Sequence, residues 1–361
     1  MTVGLVLHPY GEKHAAGLGR SIFSLAKEIV EQNPKTHYVI FLKGFKTPNP
    51  VFETSNFEVR RIKSSLFWLD KGLPNDGSVD VFLFFTPVMP VWKKLEKTLV
   101  MVHDLGHLHT QPRNMRQRFS RILIRFIQRR TLRRATHIVA ISEYTKSEVE
   151  HFVPEATSKI SVIYNGFNQV CALGEDTVSV QKPFFLFVGV VKKRKNPLRV
   201  LQAFEIFKKE TGLPYTLVFA GRADSKSFVN MVTQSPYAKD IILLGYVSEP
   251  SLCWLYRNTK AFVFPSLLEG FGMPILEAMS VGAPVITSNI DAMKEVAGEA
   301  ALLVNPMEPR EIAGAMKEIM SDKELRDSLI TKGFQRATDF SWQKAGKEYS
   351  VLLGGLVKKE K

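Results

Sequence analysis

The 361-residue sequence predicts an α/β protein made of two doubly wound, Rossmann-like domains. Its length suits two domains of about 150 residues each. A hydrophobic content of 45% is enough to give each domain its own core. Short apolar runs alternate with segments of helical periodicity. Most runs are unbroken by polar residues, which is typical of parallel strands covered on both faces.

The elements follow in a regular β-α order. Predicted strands lie at residues 3–7, 38–42, 81–85, 98–102 and 137–141, and then at 184–188, 216–220, 241–244, 261–264 and 284–287. Helical periodicity occurs between them at 21–31, 114–134, 145–152, 197–210 and 309–320. This order indicates two open parallel sheets. We expect the sheets to face each other across a cleft at the carboxyl ends of their strands, where open α/β sheets bind ligands.

A break in the alternation sets the predicted domain boundary. Between residues 166 and 183 the chain is polar, with a turn signal at Asn165-Gly166 and with Lys182-Pro183 before the next buried strand. We therefore predict an N-terminal domain at 1–170, a C-terminal domain at 171–340 and a last segment at 341–361.

The start of the chain and the cysteines predict the compartment. The first apolar run has no basic leader and is too short for a signal sequence or a membrane span. Cys171 and Cys253 are the only cysteines, and they fit neither a metal nor a redox spacing. We expect both to be buried reduced thiols in a cytoplasmic protein.

The formal net charge of +14 is concentrated in the N-terminal half. Residues 1–170 hold 24 lysines and arginines against 14 acidic residues, and no acidic residue occurs between Asp104 and Glu143. Residues 113–134 include nine arginines. Such a cluster attracts anions, so we predict peripheral binding at the inner face of the cytoplasmic membrane, to anionic lipid or to a phosphate-linked lipid acceptor. A nucleic-acid binder is the alternative, given a pI near 9.6, although we expect no exposed aromatic platforms between these charges.

The segment 114–134 is an amphipathic helix. Four apolar residues recur at intervals of four, three and four and form a stripe that we expect to pack on the N-terminal sheet: Met115, Phe119, Ile122 and Phe126. The arginines predicted to contact the membrane or the acceptor lie off this stripe: Arg118, Arg121, Arg125 and Arg129.

The segment 262–284 carries the strongest chemical signal. A buried strand leads into a loop where Gly270 and Gly272 let a ligand approach the backbone closely. A proline suits the first turn of the next helix, whose free amides can hold a diphosphate or sugar hydroxyls. Glu269 and Glu277 flank the loop and could each accept hydrogen bonds from a polyol. On spacing alone, a glycine turn with two structural glutamates fits as well.

This segment resembles the retaining glycosyltransferases of family 4, which have the GT-B architecture and two glutamates eight residues apart around Glu-Gly-Phe-Gly. The resemblance covers nearly the whole chain, and six further segments agree in order: Val102-His103-Asp104-Leu105, Ile141-Ser142-Glu143-Tyr144, Ile163-Tyr164-Asn165-Gly166, Arg194-Lys195-Asn196, Glu295-Val296-Ala297-Gly298 and Phe340-Ser341-Trp342. It implies an acceptor-side N-terminal domain, a nucleotide-sugar-binding C-terminal domain and a C-terminal helix that returns toward the N-terminal domain.

The resemblance also implies roles for individual residues. Glu269 and His103 correspond to groups that contact the donor sugar, and Lys195 corresponds to the cation that neutralises the departing diphosphate; these three are the predicted catalytic residues. Glu277 corresponds to the ligand of the ribose hydroxyls. The remaining predicted donor contacts are Gly17, Gly19, Arg194, Tyr246, Gly270, Phe271, Gly272 and Met273.

Two details of this assignment depend on local sequence. Gly17 and Gly19 are expected in a loop before a helix that begins at Ser21, although they do not complete a dinucleotide-binding fingerprint. The chain departs from the family at Val190, where the family has a second cation, an arginine. Arg194 is the candidate substitute, because a leaving diphosphate needs its charge neutralised in the transition state.

Three histidines and one aspartate within residues 103–109 can also be read as a metal cluster. The segment lacks a helical i, i+4 frame with a second carboxylate, and the resemblance implies neither a metal nor a cofactor besides the nucleotide-sugar donor. We therefore expect no metal.

The implied reaction is transfer of a hexose, with retention, from a nucleotide-sugar to a lipid-linked or glycan acceptor in cell-surface polysaccharide or lipopolysaccharide synthesis. The motifs are most similar to those of bacterial mannosyltransferases of surface polysaccharide assembly, so GDP-mannose is the expected donor, with UDP-sugars still open. A nucleotide-sugar epimerase or hydrolase is the alternative, because fold does not decide chemistry.

Overall fold

The computed structural model describes residues 1–11, 16–63, 65, 67–109, 114–180 and 183–358. Contacts divide the chain into two units, Met1–Gly166 with Phe340–Lys361, and Phe167–Asp339. Each unit is built on one parallel sheet with helices between its strands. The predicted fold class of two doubly wound α/β domains is therefore confirmed.

The first unit contains a seven-stranded sheet. Its strands are β1 (Thr2–Val6), β2 (His37–Lys43), β3 (Phe57–Ile62), β4 (Val81–Phe84), β5 (Thr98–Val102), β6 (His137–Ala140) and β7 (Ile160–Val162). Four helices occur between them: α1 (Ala16–Glu31), α2 (Trp68–Gly72), α3 (Met115–Arg134) and α4 (Glu143–Phe152). The strand order β3-β2-β1-β4-β5-β6-β7 reverses direction between β1 and β4. At such a switch point neighbouring loops diverge and leave a crevice for a ligand.

The second unit contains a six-stranded sheet. Its strands are β8 (Phe184–Val188), β9 (Thr216–Ala220), β10 (Ile241–Gly245), β11 (Ala261–Phe264), β12 (Val285–Ser288) and β13 (Leu302–Val304). Its helices are α5 (Pro197–Thr211), α6 (Lys226–Gln234), α7 (Glu249–Asn258), α8 (Met273–Met279), α9 (Asp291–Ala297), α10 (Pro309–Ser321) and α11 (Lys323–Thr338). The order β10-β9-β8-β11-β12-β13 places the switch point between β8 and β11.

The last helix, α12 (Trp342–Lys358), packs against α1 within the first unit. Gly346 makes this close contact possible, because a Cβ there would lie 2.6 Å from the Cβ of Glu28. Gly166 likewise meets the start of α12, since a Cβ on it would lie 2.1 Å from the amide nitrogen of Trp342. Two glycines thus set how closely α12 can dock.

Burial explains which strands the sequence pattern predicts. The central strands β4, β5 and β9 are buried at every residue, as expected from their unbroken apolar runs. The pattern does not predict β3, β7 or β13. These three lie at sheet edges and are only partly buried, so their sequences need no continuous apolar run.

Cys171 and Cys253 form a disulfide, with Cα atoms 5.1 Å apart. The prediction of two reduced thiols is therefore wrong, and the argument from them for a reducing compartment falls with it. Arg257 and Glu175 reinforce the same junction, with Arg257 Nη1 donating to Glu175 Oε2 at 2.9 Å. The cysteines are separated by 82 residues, and only the packing of α7 against residues 171–175 brings them together.

Among the residues that the structure describes, no helix combines the length and the apolar composition needed to cross a membrane.

Candidate functional site

The candidate donor site lies at the switch point of the second sheet. Arg194 and Lys195 follow β8, and the loop from Glu269 to Met273 follows β11. Because β8 and β11 are parallel neighbours, both loops leave the same edge of the sheet. This is the edge at which open α/β sheets bind ligands.

Contacts within the protein fix these two loops against each other. Asn196 is buried in the left-handed region at φ 62°, and its Nδ2 donates to the carbonyls of Pro265 and Pro306 at 3.0 and 2.6 Å. The carbonyl of Arg194 accepts a hydrogen bond from the amide of Leu267 at 2.7 Å. The basic loop is therefore preorganised beside the glutamate loop.

Arg194 and Glu269 form an ion pair. Arg194 Nη1 donates to Glu269 Oε2 at 2.7 Å and to the carbonyl of Leu268 at 3.3 Å. The other carboxylate oxygen, Glu269 Oε1, is buried and accepts no hydrogen bond from the described residues. A buried acceptor without a donor costs about 1–3 kcal/mol. This oxygen is therefore available to a donor supplied by a ligand, such as a sugar hydroxyl.

Lys195 lies within electrostatic reach of both glutamates. Burial lowers its pKa, while the carboxylates of Glu269 and Glu277 favour its charged form and oppose the shift. Lys195 Nζ lies 5.0 Å from the centre of the Phe264 ring. It occupies space that exists only because residue 189 is glycine, since a Cβ on Gly189 would lie 2.5 Å from Nζ. A desolvated cation in this position can bind an anionic group.

Glu277 lies on α8, where Tyr256 Oη donates to Glu277 Oε2 at 3.3 Å. Burial raises the pKa of Tyr256 well above its usual value, and Glu277 raises it further, so the phenol keeps its proton and remains a donor. Gly272 precedes α8 at φ 96°, a conformation that favours glycine. This turn orients the helix that carries Glu277, while Gly270 and Phe271 are buried beside it.

Tyr246 is predicted to lie where the nucleobase of the donor binds. It follows β10, and its side chain is 76% exposed. The carbonyl of the preceding Gly245 accepts from the amide of Gly221 at 2.7 Å, which ties the start of this loop to the end of β9. Tyr246 therefore lies at the same edge of the sheet as the cluster, with β9 between its strand and β8.

In the first unit, His103 lies directly after β5. Its Nε2 is 3.0 Å from the carbonyl of Phe85, which can only accept, so Nε2 carries the proton. Burial lowers the pKa of His103 to about 4, against smaller opposite effects of Asp104 and of the Phe85 carbonyl. His103 is therefore neutral at pH 7, and its Nδ1 is a hydrogen-bond acceptor. Its predicted role as a partner of the donor sugar stays a prediction.

Asp104 and His109, in the same loop, form hydrogen bonds with different partners. Asp104 Oδ1 accepts from the amide of Gly106 at 2.9 Å. His109 Nε2 pairs with Glu148 of α4. Among the described residues, no group of three His, Cys, Asp or Glu side chains is arranged to hold a metal ion; the side chain of His107 lies outside that description.

The prediction that Gly17 and Gly19 lie in a loop before the helix is wrong, whereas their predicted contact with the donor stays a prediction. The structure places both residues in the first turn of α1, which begins at Ala16 rather than at Ser21. Ser21 does not cap the helix; its Oγ donates back to the carbonyl of Gly17 at 3.1 Å. Small residues are tolerated in a first helical turn, so glycine spacing alone does not distinguish it from a loop. Residues 12–15, where the approach to the helix falls, lie outside the described residues.

The expected packing of the apolar stripe on α3 is also wrong. Its four members are 58–67% exposed: Met115, Phe119, Ile122 and Phe126. Two of these are aromatic, so the expectation of no exposed aromatic side chain among the arginines fails too. Burial begins only near the end of the helix, at Gln128, Thr131 and Leu132. Arg118, Arg125 and Arg129 are exposed and Arg121 is half-buried, whereas Arg113 lies outside the described residues.

Three residues shape the donor site without having been singled out individually: Gly189, Asn196 and Tyr256. Asn196 could have been found from the sequence. It lies directly before the proline that starts α5, and asparagine tolerates the left-handed backbone conformation that the chain adopts there. Gly189 and Tyr256 act through tertiary contacts, which local sequence does not report.

Two family models match consecutive parts of the chain. The model described as Glycosyltransferase Family 4 matches residues 15–169, and the model described as Glycosyl transferases group 1 matches residues 175–336. Together they cover most of both units, apart from residues 1–14 and the last helix.

Relatives and a solved structure agree with these matches. O-antigen chain mannosyltransferase B of Escherichia coli is 35% identical over 44% of this chain and 42% of its own. O-antigen chain mannosyltransferase RfbU of Salmonella typhimurium is 31% identical over 65% of this chain and 63% of its own. The chain thus spans less than two thirds of either relative. Sucrose-phosphate synthase from Thermosynechococcus elongatus has the same fold, with a TM-score of 0.78 over 99% of both chains at 18% identity.

The glutamate pair, the basic loop at the switch point and the two adjoining family matches lead to one assignment: this chain belongs to the group 1 glycosyltransferases of family 4.

Proposed function

We propose that this protein is a retaining glycosyltransferase that transfers mannose from GDP-mannose to a lipid-linked or glycan acceptor in cell-surface polysaccharide or lipopolysaccharide synthesis. The observation that carries the proposal is the buried, unsatisfied Glu269 Oε1 beside Arg194 and Lys195. A carboxylate oxygen reserved for a hydroxyl donor, next to two cations, suits a sugar attached to a diphosphate.

The residues of the second unit divide the donor between them. Lys195 and Arg194 neutralise the diphosphate, and Arg194 stands in for the cation absent at Val190. Glu269 accepts hydrogen bonds from the sugar hydroxyls, aided by the amides of residues 270–273. Glu277 binds the ribose hydroxyls, and Tyr256 holds its carboxylate in place.

The proposed reaction is same-face substitution. The acceptor oxygen bonds to the anomeric carbon as the bond from that carbon to the diphosphate breaks, and the departing phosphate oxygen takes the acceptor proton. Positioning and charge neutralisation then supply the catalysis. Neutral His103 offers Nδ1 to a hydroxyl of the sugar. We propose no metal, because the two cationic side chains offer the charge that the leaving group requires.

The choice of mannose and of a glycan acceptor is supported by the two O-antigen mannosyltransferases that this chain resembles. A thermal-shift panel tests it, since a ligand that binds only the folded state raises stability by about 2.7 kcal/mol at a hundred times its Kd. GDP-mannose should raise the melting temperature more than UDP-sugars do. A larger shift with UDP-glucose would reverse the choice of donor.

The reaction is proposed to occur at the inner face of the cytoplasmic membrane. The support for a membrane location is the arginine-rich α3, which contains no acidic residue. Its acceptor would then be a phosphate-linked lipid or a glycan carried by one.

The Glu269→Gln variant tests the reaction itself. Loss of the carboxylate charge should lower kcat by about 10²-fold or more, since interactions of this kind act mainly in the transition state. Release of GDP from GDP-mannose in the presence of purified acceptor is the measurement. Glu299→Gln is the control, because Glu299 is an exposed glutamate of the same unit. Near-normal turnover of Glu269→Gln would contradict the proposed role.

The donor alone separates the proposal from the epimerase or hydrolase alternative. A transferase should convert GDP-mannose slowly without acceptor. Fast and complete conversion under those conditions would assign the alternative chemistry instead.

A further inference from the structure

The first half of α3 projects an apolar surface from the protein. Every side chain from residue 114 to residue 126 is exposed, apart from the half-buried Arg121. Leu123 extends the apolar stripe sideways, at 58% exposure. Single exposed hydrophobic residues are ordinary, but a continuous exposed stripe of them marks an interaction surface.

Contacts at both ends of α3 fix this projecting segment in place. At its start, Asn114 Oδ1 accepts from the amide of Gln117 at 2.9 Å, which is a standard N-terminal cap. At its end, Leu132 is fully buried, and Thr131 Oγ1 accepts from the amide of Met89 at 3.1 Å. The apolar stripe is therefore presented in a fixed register.

A second exposed apolar group lies on the adjoining loop. Trp92 is 65% exposed, and its ring contacts that of Phe67 in a tilted arrangement, with centroids 4.2 Å apart. The carboxylate of Asp70 accepts from three consecutive backbone amides, those of residues 91, 92 and 93, at 2.7–2.9 Å. These bonds lower the pKa of Asp70 against the opposing effect of burial, so the anchor persists in its charged form at neutral pH.

Arginines at the end of α3 attach this loop to the helix. Arg130 donates to the carbonyl of Val91 through Nε and Nη2 at 3.1 and 2.9 Å. Arg134 donates to the carbonyls of Pro90, Val91 and Lys93 at 2.9–3.1 Å. Arg130 lies one turn after Phe126 and two turns after Leu123, so it shares their side of the helix. The loop that carries Trp92 is therefore bonded to α3 on the side of Phe126, one turn beyond it.

The charge of this surface has a single sign. α3 contains eight arginines and no acidic residue. The 3.6-residue period of an α-helix places a row of arginines along one side of the stripe: Arg118, Arg121, Arg125 and Arg129. Arg116 lies on the other side. Arg125 also lies over the Phe152 ring at 6.0 Å. An apolar stripe bordered by arginines complements an anionic lipid surface, whose phosphates lie directly above its acyl region.

We propose that the first half of α3 and Trp92 form one membrane-insertion surface for anionic phospholipid. The apolar stripe enters the boundary between headgroups and acyl chains, the arginines bind lipid phosphates, and Trp92 anchors the loop at the interface, where tryptophan is favoured. This inference deepens the proposed function, on which it relies for the membrane location. It adds that insertion of apolar side chains, and not charge alone, holds the protein there.

The aliphatic part of the stripe favours lipid over nucleic acid as the occupant. Met115, Ile122 and Leu123 offer no flat face for base stacking, which nonspecific nucleic-acid binding uses beside its charges. A second copy of this chain would bring eight more arginines to the same surface, and the repulsion opposes such pairing.

Intrinsic fluorescence can test insertion without a label. The chain has four tryptophans, and Trp68, Trp254 and Trp342 are each only 8% exposed, so Trp92 dominates the response to solvent. Vesicles of equal parts phosphatidylcholine and phosphatidylglycerol should shift the emission to shorter wavelength, and brominated acyl chains should quench it. The quenching should persist in salt high enough to screen charge, because the inserted side chains are apolar. If the wild-type protein shows neither the emission shift nor the quenching, the proposal is wrong.

Variants separate the apolar stripe from general surface effects. The triple variant Phe119→Ser, Ile122→Ser, Phe126→Ser should bind these vesicles at least about tenfold more weakly, from the apolar area withdrawn from lipid. Val351→Ser on α12 is the control, since Val351 is 71% exposed in the same unit. Trp92→Ala should weaken binding as well, whereas Phe45→Ala, at a 68% exposed aromatic, should not. Equal losses in control and test variants would overturn the assignment.

Other measurements decide between occupants and isolate this inference from the proposed reaction. Dissociation of a wild-type dimer by the triple variant in gel filtration, or tight RNA binding with no vesicle binding, would replace lipid by another partner. The triple variant should keep the wild-type melting temperature and the wild-type thermal shift with GDP-mannose. A protein that binds vesicles but transfers no sugar refutes the reaction alone, and an active enzyme that ignores vesicles refutes the insertion surface alone.

Discussion

At the end of β8, Lys195 and Arg194 show how neighbouring residues acquire different tasks. Lys195 is desolvated beneath Gly189 and fixed near two carboxylates, whereas Arg194 is more exposed and bonded to Glu269. In the function proposed above, the guanidinium exchanges this bond for a bond to the diphosphate once sugar hydroxyls engage Glu269. An arginine offers two parallel donors for such oxygens, which a lysine does not.

The substitution at Val190 makes this division testable. Arg194→Ala should lower kcat by about 10²-fold, the usual cost of losing one group that stabilises transition-state charge. Adding Val190→Arg to that variant should restore part of the rate, because it returns a cation to the position used by the family. Arg310→Ala, at an exposed arginine of α10, serves as the matched control. No loss in Arg194→Ala, or no recovery in the double variant, would show that Arg194 is not the substitute.

Protonation of His103 makes the stability of the first unit depend on pH. Its pKa is about 4 in the folded protein and near 6.5 when unfolded. A lowered pKa means that the unfolded chain binds the proton more readily, so the stabilisation is fully present above pH 6.5 and is lost as the pH falls toward 4. The full effect is about 3 kcal/mol.

Urea unfolding across that range checks the prediction. His103→Gln should flatten the loss of stability between pH 6.5 and pH 4 relative to wild type, whereas the exposed His151→Gln should keep it. Identical pH profiles for wild type and His103→Gln would contradict a buried, neutral His103.

At the scale of elements, two glycines allow close packing with α12. Gly346 meets α1, and Gly166 meets the first residues of α12 backbone to backbone. A side chain at Gly166 has no flexible neighbour to displace. The start of α12 can therefore pack against residue 166 only while that residue lacks a Cβ.

Gly166→Ala should lower the free energy of unfolding by about 2 kcal/mol or more, as expected when a close backbone contact must open. Chemical denaturation measures it. Gly355→Ala is the matched control: Gly355 lies in α12 with no atom within 4 Å of an added Cβ. That change should raise stability by about 0.5–1 kcal/mol through helix propensity. Equal and small effects at both positions would contradict the described contact.

α3 shows what periodicity does and does not specify. Its heptad-like spacing correctly predicts a helix with an apolar stripe, and the observed helix ends at the predicted residue, Arg134. The spacing contains no information about what covers the stripe. Here the covered part is the last two turns, and the stripe itself faces outward.

At the scale of the whole molecule, the disulfide joins the chain that enters the second unit to α7. Cys171 and Cys253 close a loop of 82 residues. A crosslink of this kind stabilises a protein by restricting the unfolded chain, typically by about 2–4 kcal/mol. Reduction should therefore lower the melting temperature of the wild type.

The double variant Cys171→Ser, Cys253→Ser supplies the control. It should melt lower than the oxidised wild type and should not respond to reductant. A wild type whose melting temperature is unchanged by reductant would contradict a stabilising crosslink between these positions.

The sequence by itself determined the features that local chemistry encodes. Unbroken apolar runs marked the buried parallel strands, and the segment around Glu269 and Glu277 marked the family, because a backbone turn between two carboxylates requires glycines at fixed places. Three of the four edge strands, β3, β7 and β13, escaped this reading since they are only partly buried, whereas the edge strand β10 was found through its apolar run.

Tertiary structure alone decided the rest. It paired Cys171 with Cys253, continued α1 through Gly17 and Gly19, left the stripe of α3 exposed and opened space for Lys195 beside Gly189. The disulfide joins residues 82 positions apart in the chain, and the other three features depend on backbone conformation or on what packs against an element, which apolar periodicity does not encode. Local periodicity specifies which face of an element is apolar, whereas only packing specifies what lies against that face.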